Sequence, residues 1–106
     1  MDLAFKALAD GTRRDLLDRL FRQDGQTLTQ LCDGQSGSRQ AISKHLRLLE
    51  QAELVTVIWR GREKFHYLNP LPIQTIADRW IHKYRARQTQ AVADLKRALE
   101  QEDQHD

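Results

Sequence analysis

Residues 38–49, SRQAISKHLRLL, constrain the fold more than any other stretch of the chain. Ile42, Leu46 and Leu49 recur at spacings of four and three, so on a helix they share one face, and that face should be buried. Arg39, Gln40, Ser43, Lys44 and Arg47 fall on the other side, which carries no acid and no large apolar group. A helix that buries one side and presents Arg, Gln, Ser and Lys on the other suits the major groove of DNA.

The flanking pattern places this helix. Leu3 to Leu8 reads as a short apolar helix ending near Asp10. Asp10 or Thr12 can cap a second helix through Phe21, with Leu16, Leu17, Leu20 and Phe21 as its buried stripe. Thr27 or Thr29 caps a brief third helix to about Asp33 that buries Leu28 and Leu31. The segment Gly34-Gln35-Ser36-Gly37 is a turn, and Ser38 caps the fourth helix, which is expected over about 38–52. From Leu54 to Trp59 the residues become β-branched and aromatic, Arg60-Gly61-Arg62 makes a tight turn, and Lys64 to Leu68 returns as a second strand. A final helix is expected over about 71–100, with Ile73, Ala77, Trp80, Tyr84, Ala91, Leu95 and Leu99 in one stripe and a polar interruption from Arg85 to Gln90.

The expected architecture is therefore mainly α with a small β-hairpin, in the order α-α-α-α-β-β-α, as one domain over 1–106. A glycine-containing turn joins the third and fourth helices, as a helix-turn-helix requires, and the hairpin over about 54–69 is placed to act as a wing along the DNA backbone.

Charge is distributed in keeping with this. The formal net charge is only +2. Between Ser38 and Lys64, however, six basic residues (Arg39, Lys44, Arg47, Arg60, Arg62, Lys64) face three acids (Glu50, Glu53, Glu63), and four acids fall at the end, from Glu100. The single cysteine, Cys32, excludes an internal disulfide and fits a reducing compartment. No apolar run reaches the roughly 20 residues of a membrane span, so a cytoplasmic location without a membrane partner is expected.

Residues about 3–69 resemble the winged helix-turn-helix repressors of the ArsR/SmtB type. The resemblance rests on Leu8-Ala9-Asp10-Gly11-Thr12-Arg13-Arg14, on Ala41-Ile42-Ser43-Lys44-His45-Leu46 with Leu48-Leu49-Glu50, on the Leu54-Val55 strand start, and on Gly61-Arg62-Glu63. The family's usual glycine after the recognition helix is replaced by Glu53. The resemblance implies a homodimeric bacterial regulator, a repressor of a palindromic operator in double-stranded DNA. It also implies the recognition positions Arg39, Gln40, Ser43, Lys44 and Arg47. Gln40 and Lys44 are the expected base-edge contacts, because glutamine pairs with adenine and lysine with guanine. Ser38, Arg39 and Ser43 are expected on phosphate. Arg60, Arg62 and Lys64 would follow the backbone from the wing, with an arginine available to the minor groove.

Other residues read more simply. His45 is expected to be a structural histidine partnered inside the helix-turn-helix, in preference to a DNA contact. Trp59 and Trp80 are expected to pack, the first on the hairpin and the second on the final helix. The family includes metal sensors, but Cys32 stands alone, and Asp78 and His82 are a single i, i+4 pair where a closed site generally needs about four ligands. No metal or cofactor is expected, and the inducing signal is left open.

Leu3, Trp80, Ile81, Tyr84, Leu95 and Leu99 are too many large groups to leave wet, so a dimer through the terminal helices is expected. No nucleophile–base–acid order and no phosphate-cradling glycine loop points to an enzyme. Two other functions remain: a winged-helix protein-interaction module, and a repressor responsive to metal or thiol chemistry through Cys32 or Asp78 and His82.

Overall fold

The computed structural model describes residues 2–103, so the end of the acidic stretch that begins at Glu100 lies outside the described residues. These fall into two units, one running to Gln74 and one beginning at Thr75.

In the first unit, α1 (Asp2–Leu8), α2 (Gly11–Arg22), α3 (Leu28–Cys32) and α4 (Arg39–Gln51) precede an antiparallel hairpin of β1 (Val55–Arg60) and β2 (Glu63–Leu68). The caps explain the boundaries. The Asp10 carboxylate accepts from the Arg13 amide at 3.0 Å and starts α2. Thr27 and Gln30 exchange side-chain and backbone hydrogen bonds, a capping box that starts α3. Ser38 Oγ accepts from the Ala41 amide at 3.1 Å and starts α4.

The core forms where these helices converge. Leu16, Leu20, Leu31, Ile42, Leu49 and Leu54 are fully buried, with Leu46 and Val55 beside them. Cys32, Leu28 and Val57 pack partly buried against this cluster, so the lone thiol serves as a small apolar group. The α2 stripe is narrower than expected: Leu16, Leu17 and Leu20 are buried, but Phe21 is 79% exposed. Phe21 lies at the edge of the apolar arc, about 100° around the helix from Leu20.

Arg13 and Arg14 explain the Asp-Gly-Thr-Arg-Arg segment. Arg13 donates to the carbonyls of Ala7 (2.8 Å) and Lys6 (3.1 Å), and Arg14 donates to that of Leu8 (2.7 Å), so the two guanidiniums satisfy the end of α1. Arg13 Nη1 also reaches His45 Nδ1 on α4 at 3.1 Å, the structural partnership expected for that histidine.

Gly61 carries a φ of +63° as the first of two loop residues, the position that type II′ hairpin turns reserve for glycine. The register pairs Val57 with His66 and Trp59 with Lys64. Gln26 forms an isolated bridge with His66, so the α2–α3 connection adds a short third lane beside β2.

The last helix, α5, runs from Leu71 to Asp103. The polar segment 85–90 does not break it. Gln88 bonds Tyr84, Thr89 bonds the Arg85 carbonyl and Gln90 bonds Asp94, each across one turn. Trp80, Ile81, Tyr84, Val92, Leu95 and Leu99 are exposed along it, and Lys83 lies 5.2 Å from the Trp80 ring. In the single chain Trp80 is 59% exposed, which leaves its ring open to a second copy as the expected dimer requires. No helix among the described residues is long and apolar enough to cross a membrane.

Candidate nucleic-acid interface

The burial of Ile42, Leu46 and Leu49 fixes which side of α4 faces out. Ser38, Arg39, Gln40, Lys44 and Arg47 are exposed, and Ser43 is half-buried among them. Arg39, Gln40, Ser43, Lys44 and Arg47 border one depression of about 450 Å³ with Leu28, and no carboxylate borders it.

A larger groove of about 610 Å³ opens between α4 and the wing. Arg39, Ser43 and Arg47 line its helical side, and Trp59, Arg62 and Lys64 line the hairpin side. The structure thus joins five of the anticipated residues (Arg39, Ser43, Arg47, Arg62 and Lys64) across one concave surface. Gln40 and Lys44 continue the same helix face into the shallower depression, and Ser38 stands at its N-cap. Arg60 is the exception. It pairs with Glu63 in the register, on the opposite hairpin face from Trp59 and Lys64, and lies 5.5 Å from the Phe65 ring.

Two of the groove cations already have partners. Lys64 Nζ donates to Glu50 Oε2 at 2.7 Å, and Arg39 Nη1 donates to Thr29 Oγ1 at 3.0 Å. Glu50 and Glu63 are the carboxylates that border this groove, and Lys64 offsets the first of them.

His66 closes the groove floor and is only 2% exposed. Its Nδ1 lies 2.9 Å from the Gln26 carbonyl, which can only accept, so Nδ1 carries the proton and donates. Burial holds its pKa below the ordinary histidine range, nearby Lys64 adds to that shift, and the Gln26 bond opposes it. The ring is accordingly neutral at pH 7. Asp10 is shifted down as well, chiefly because its carboxylate accepts the Arg13 amide.

The sequence reading missed Trp59. Strand alternation sets it on the inner face with Val55 and Val57, and that much was legible. Burial falls along that face toward the turn, from buried Val55 through half-buried Val57 to Trp59, which is 63% exposed where packing was expected. Thr27, Thr29 and Glu50 also border the groove without having been anticipated. Asp78 and His82 are exposed on α5, and among the described residues no cluster of His, Cys, Asp or Glu could hold a metal ion.

Comparison with known proteins gives concordant results. Residues 8–58 match a family described as a helix-turn-helix domain. An uncharacterized HTH-type transcriptional regulator of Bacillus subtilis (strain 168), YuzN, is 40% identical over 86 residues, covering 76% of this chain and 94% of that protein. The transcriptional repressor SdpR of the same organism is 34% identical over 74 residues, covering 70% of this chain and 81% of that protein. Among solved structures, an ArsR-like transcriptional regulator from Rhodococcus sp. RHA1 superposes with a TM-score of 0.74 at 32% identity, covering 93% of this chain and 89% of that one.

Proposed function

We propose that this chain, which belongs to the ArsR-type family of helix-turn-helix transcriptional regulators, represses transcription as a homodimer on a palindromic operator. It is a DNA-binding regulator. The observation that carries it is the exposed face of α4, where Arg39, Gln40, Ser43, Lys44 and Arg47 border a carboxylate-free depression. Gln40 and Lys44 read base edges, while Ser38, Arg39, Ser43 and Arg47 hold phosphates and sugars. Arg62 reaches the backbone from the hairpin tip. Lys64 joins it when phosphate competes with Glu50, and Arg60 contributes charge from the outer face.

The dimer follows from exposed apolar groups. Leu3 on α1 and Trp80, Ile81, Tyr84, Leu95 and Leu99 on α5 are all exposed in the single chain. Burying each is worth roughly 1.5–3 kcal/mol, which favours a second copy. A twofold arrangement sets two recognition helices about one DNA turn apart, ~34 Å or a multiple of it. One helix reads too few base pairs to be selective, so the second copy is part of the mechanism.

A salt titration of affinity for an operator selected from a random-sequence duplex pool tests the reading. Log affinity should fall linearly and steeply with log salt as phosphate contacts are screened. A pool that yields no bound duplex would instead identify a docking module, and a salt-independent affinity would show that the basic side chains do not hold phosphate.

A further inference from the structure

The inner hairpin face ends at the Trp59–Lys64 pair. Lys64 Nζ sits 5.8 Å from the Trp59 ring centroid and is itself bonded to Glu50, so the indole is steered by a cation that α4 holds in place. Yet the ring remains 63% exposed, beside Arg47 and Arg62 on the groove wall. A large apolar ring left wet among hydrogen-bonding cations marks a surface built for a partner that is both apolar and anionic.

We propose that Trp59 is a DNA-contact residue whose indole packs against deoxyribose of the strand that lies between α4 and the wing. The inference rests on the DNA-binding mode above and adds the part of the duplex that the groove takes. In duplex DNA the base faces are already stacked on one another, so the apolar surface open to a ring is the sugar edge. Sugars alternate with phosphates, and the groove offers both kinds of group, since Arg47 and Arg62 line it together with Trp59. Four cations (Arg39, Arg47, Arg62, Lys64) against two carboxylates (Glu50, Glu63) supply the matching charge. The Lys64 contact pre-orders the ring, which lowers the ordering cost of the new contact. A sugar contact is blind to base sequence, so Trp59 should strengthen binding to every duplex alike.

The test uses the full chain, a pool-selected operator duplex and an unrelated duplex of equal length. Anisotropy of labelled DNA reports binding, and intrinsic tryptophan emission reports the indoles. The chain has two tryptophans, Trp59 and Trp80, so W59F leaves Trp80 alone to report. Both duplexes should change the wild-type emission. W59F should lose most of that change while still binding. W59A should weaken both duplexes by about tenfold, the effect of one modest apolar contact. W59F should weaken them less, because the phenyl ring retains part of the contact. Neither variant should alter the salt slope, because no charge is removed. An emission change as large in W59F as in wild type, or W59A binding as tightly as wild type, overturns the assignment while leaving DNA binding intact. Failure of the wild-type chain to bind either duplex by anisotropy overturns the DNA-binding mode, and the Trp59 contact with it.

Discussion

Lys64 on β2 and Glu50 on α4 form an ion pair of 2.7 Å, half-buried, that ties the wing to the recognition helix. The pair also restrains a cation that would otherwise be free for phosphate. Glu50→Gln removes a carboxylate from the groove and releases that cation. Affinity for all duplexes should rise about threefold or more, and the salt slope should steepen by up to about 0.9. Unchanged slope and unchanged affinity together would mean that the ion pair does not hold Lys64 back from the DNA.

Glu53 has a φ of +61° and is the non-glycine residue with a positive φ among those described. The Leu54 amide bonds the Leu49 carbonyl and the Glu53 amide bonds the Glu50 carbonyl, both at 3.0 Å, which is the Schellman ending of a helix. The geometry that glycine provides in the family is thus preserved here by a residue that strains to adopt it. Glu53→Gly should raise stability by about 1 kcal/mol, read as a higher urea midpoint at unchanged slope. A lower midpoint would show that the side chain contributes more than the strain costs.

Base-edge and backbone contacts should separate by specificity. Gln40→Ala or Lys44→Ala should weaken the selected operator by ~1–3 kcal/mol and shrink its margin over unrelated duplexes. Arg62→Ala should weaken all duplexes similarly and lower the salt slope. Competition binding at two salt concentrations distinguishes the two patterns.

Adjacent α2 residues should respond very differently to substitution. Leu20 is fully buried and Phe21 is 79% exposed. Leu20→Ala should cost ~2–5 kcal/mol, whereas Phe21→Ser should stay within about 0.5 kcal/mol. Paired urea melts decide this, and a large loss for Phe21→Ser would place that ring in a contact.

His66 should give stability a pH dependence of definite sign. Its folded pKa lies below the ordinary value, so the unfolded chain takes up the proton first as pH falls. The stability that neutral His66 contributes is complete above the ordinary histidine range, about 6.5, and declines as pH drops toward the lower folded value. His66→Asn keeps a donor near the Nδ1 position but cannot titrate. Urea midpoints between pH 7 and 5 should therefore fall more steeply for wild type than for the variant, and parallel curves would contradict the assignment.

The elements were legible because each is signalled locally. Ser38 caps α4 as expected, Asp10 and Thr27 are the ones of the offered pairs (Asp10 or Thr12, Thr27 or Thr29) that cap α2 and α3, and the Ile42–Leu46–Leu49 spacing identified the buried face of α4. The exposed face followed directly, since whatever is not buried on that helix must face out. Trp59 and Phe21 were misread for one shared reason: periodicity tells which way a side chain faces, but not how far a neighbouring element extends to cover it. The ion pair of Lys64 with Glu50 was out of reach because it depends on where the hairpin folds back over the end of α4. The Arg13 contacts to the end of α1 and to His45 likewise join three elements that no single window of sequence contains.

Hydroxyl-radical footprinting of the full chain on the selected operator bears most directly on paired insertion of α4 into DNA. Two protected patches related by twofold symmetry should emerge, with centres about 34 Å, or a whole multiple of it, apart along the duplex. A single asymmetric patch at saturating protein would contradict the account.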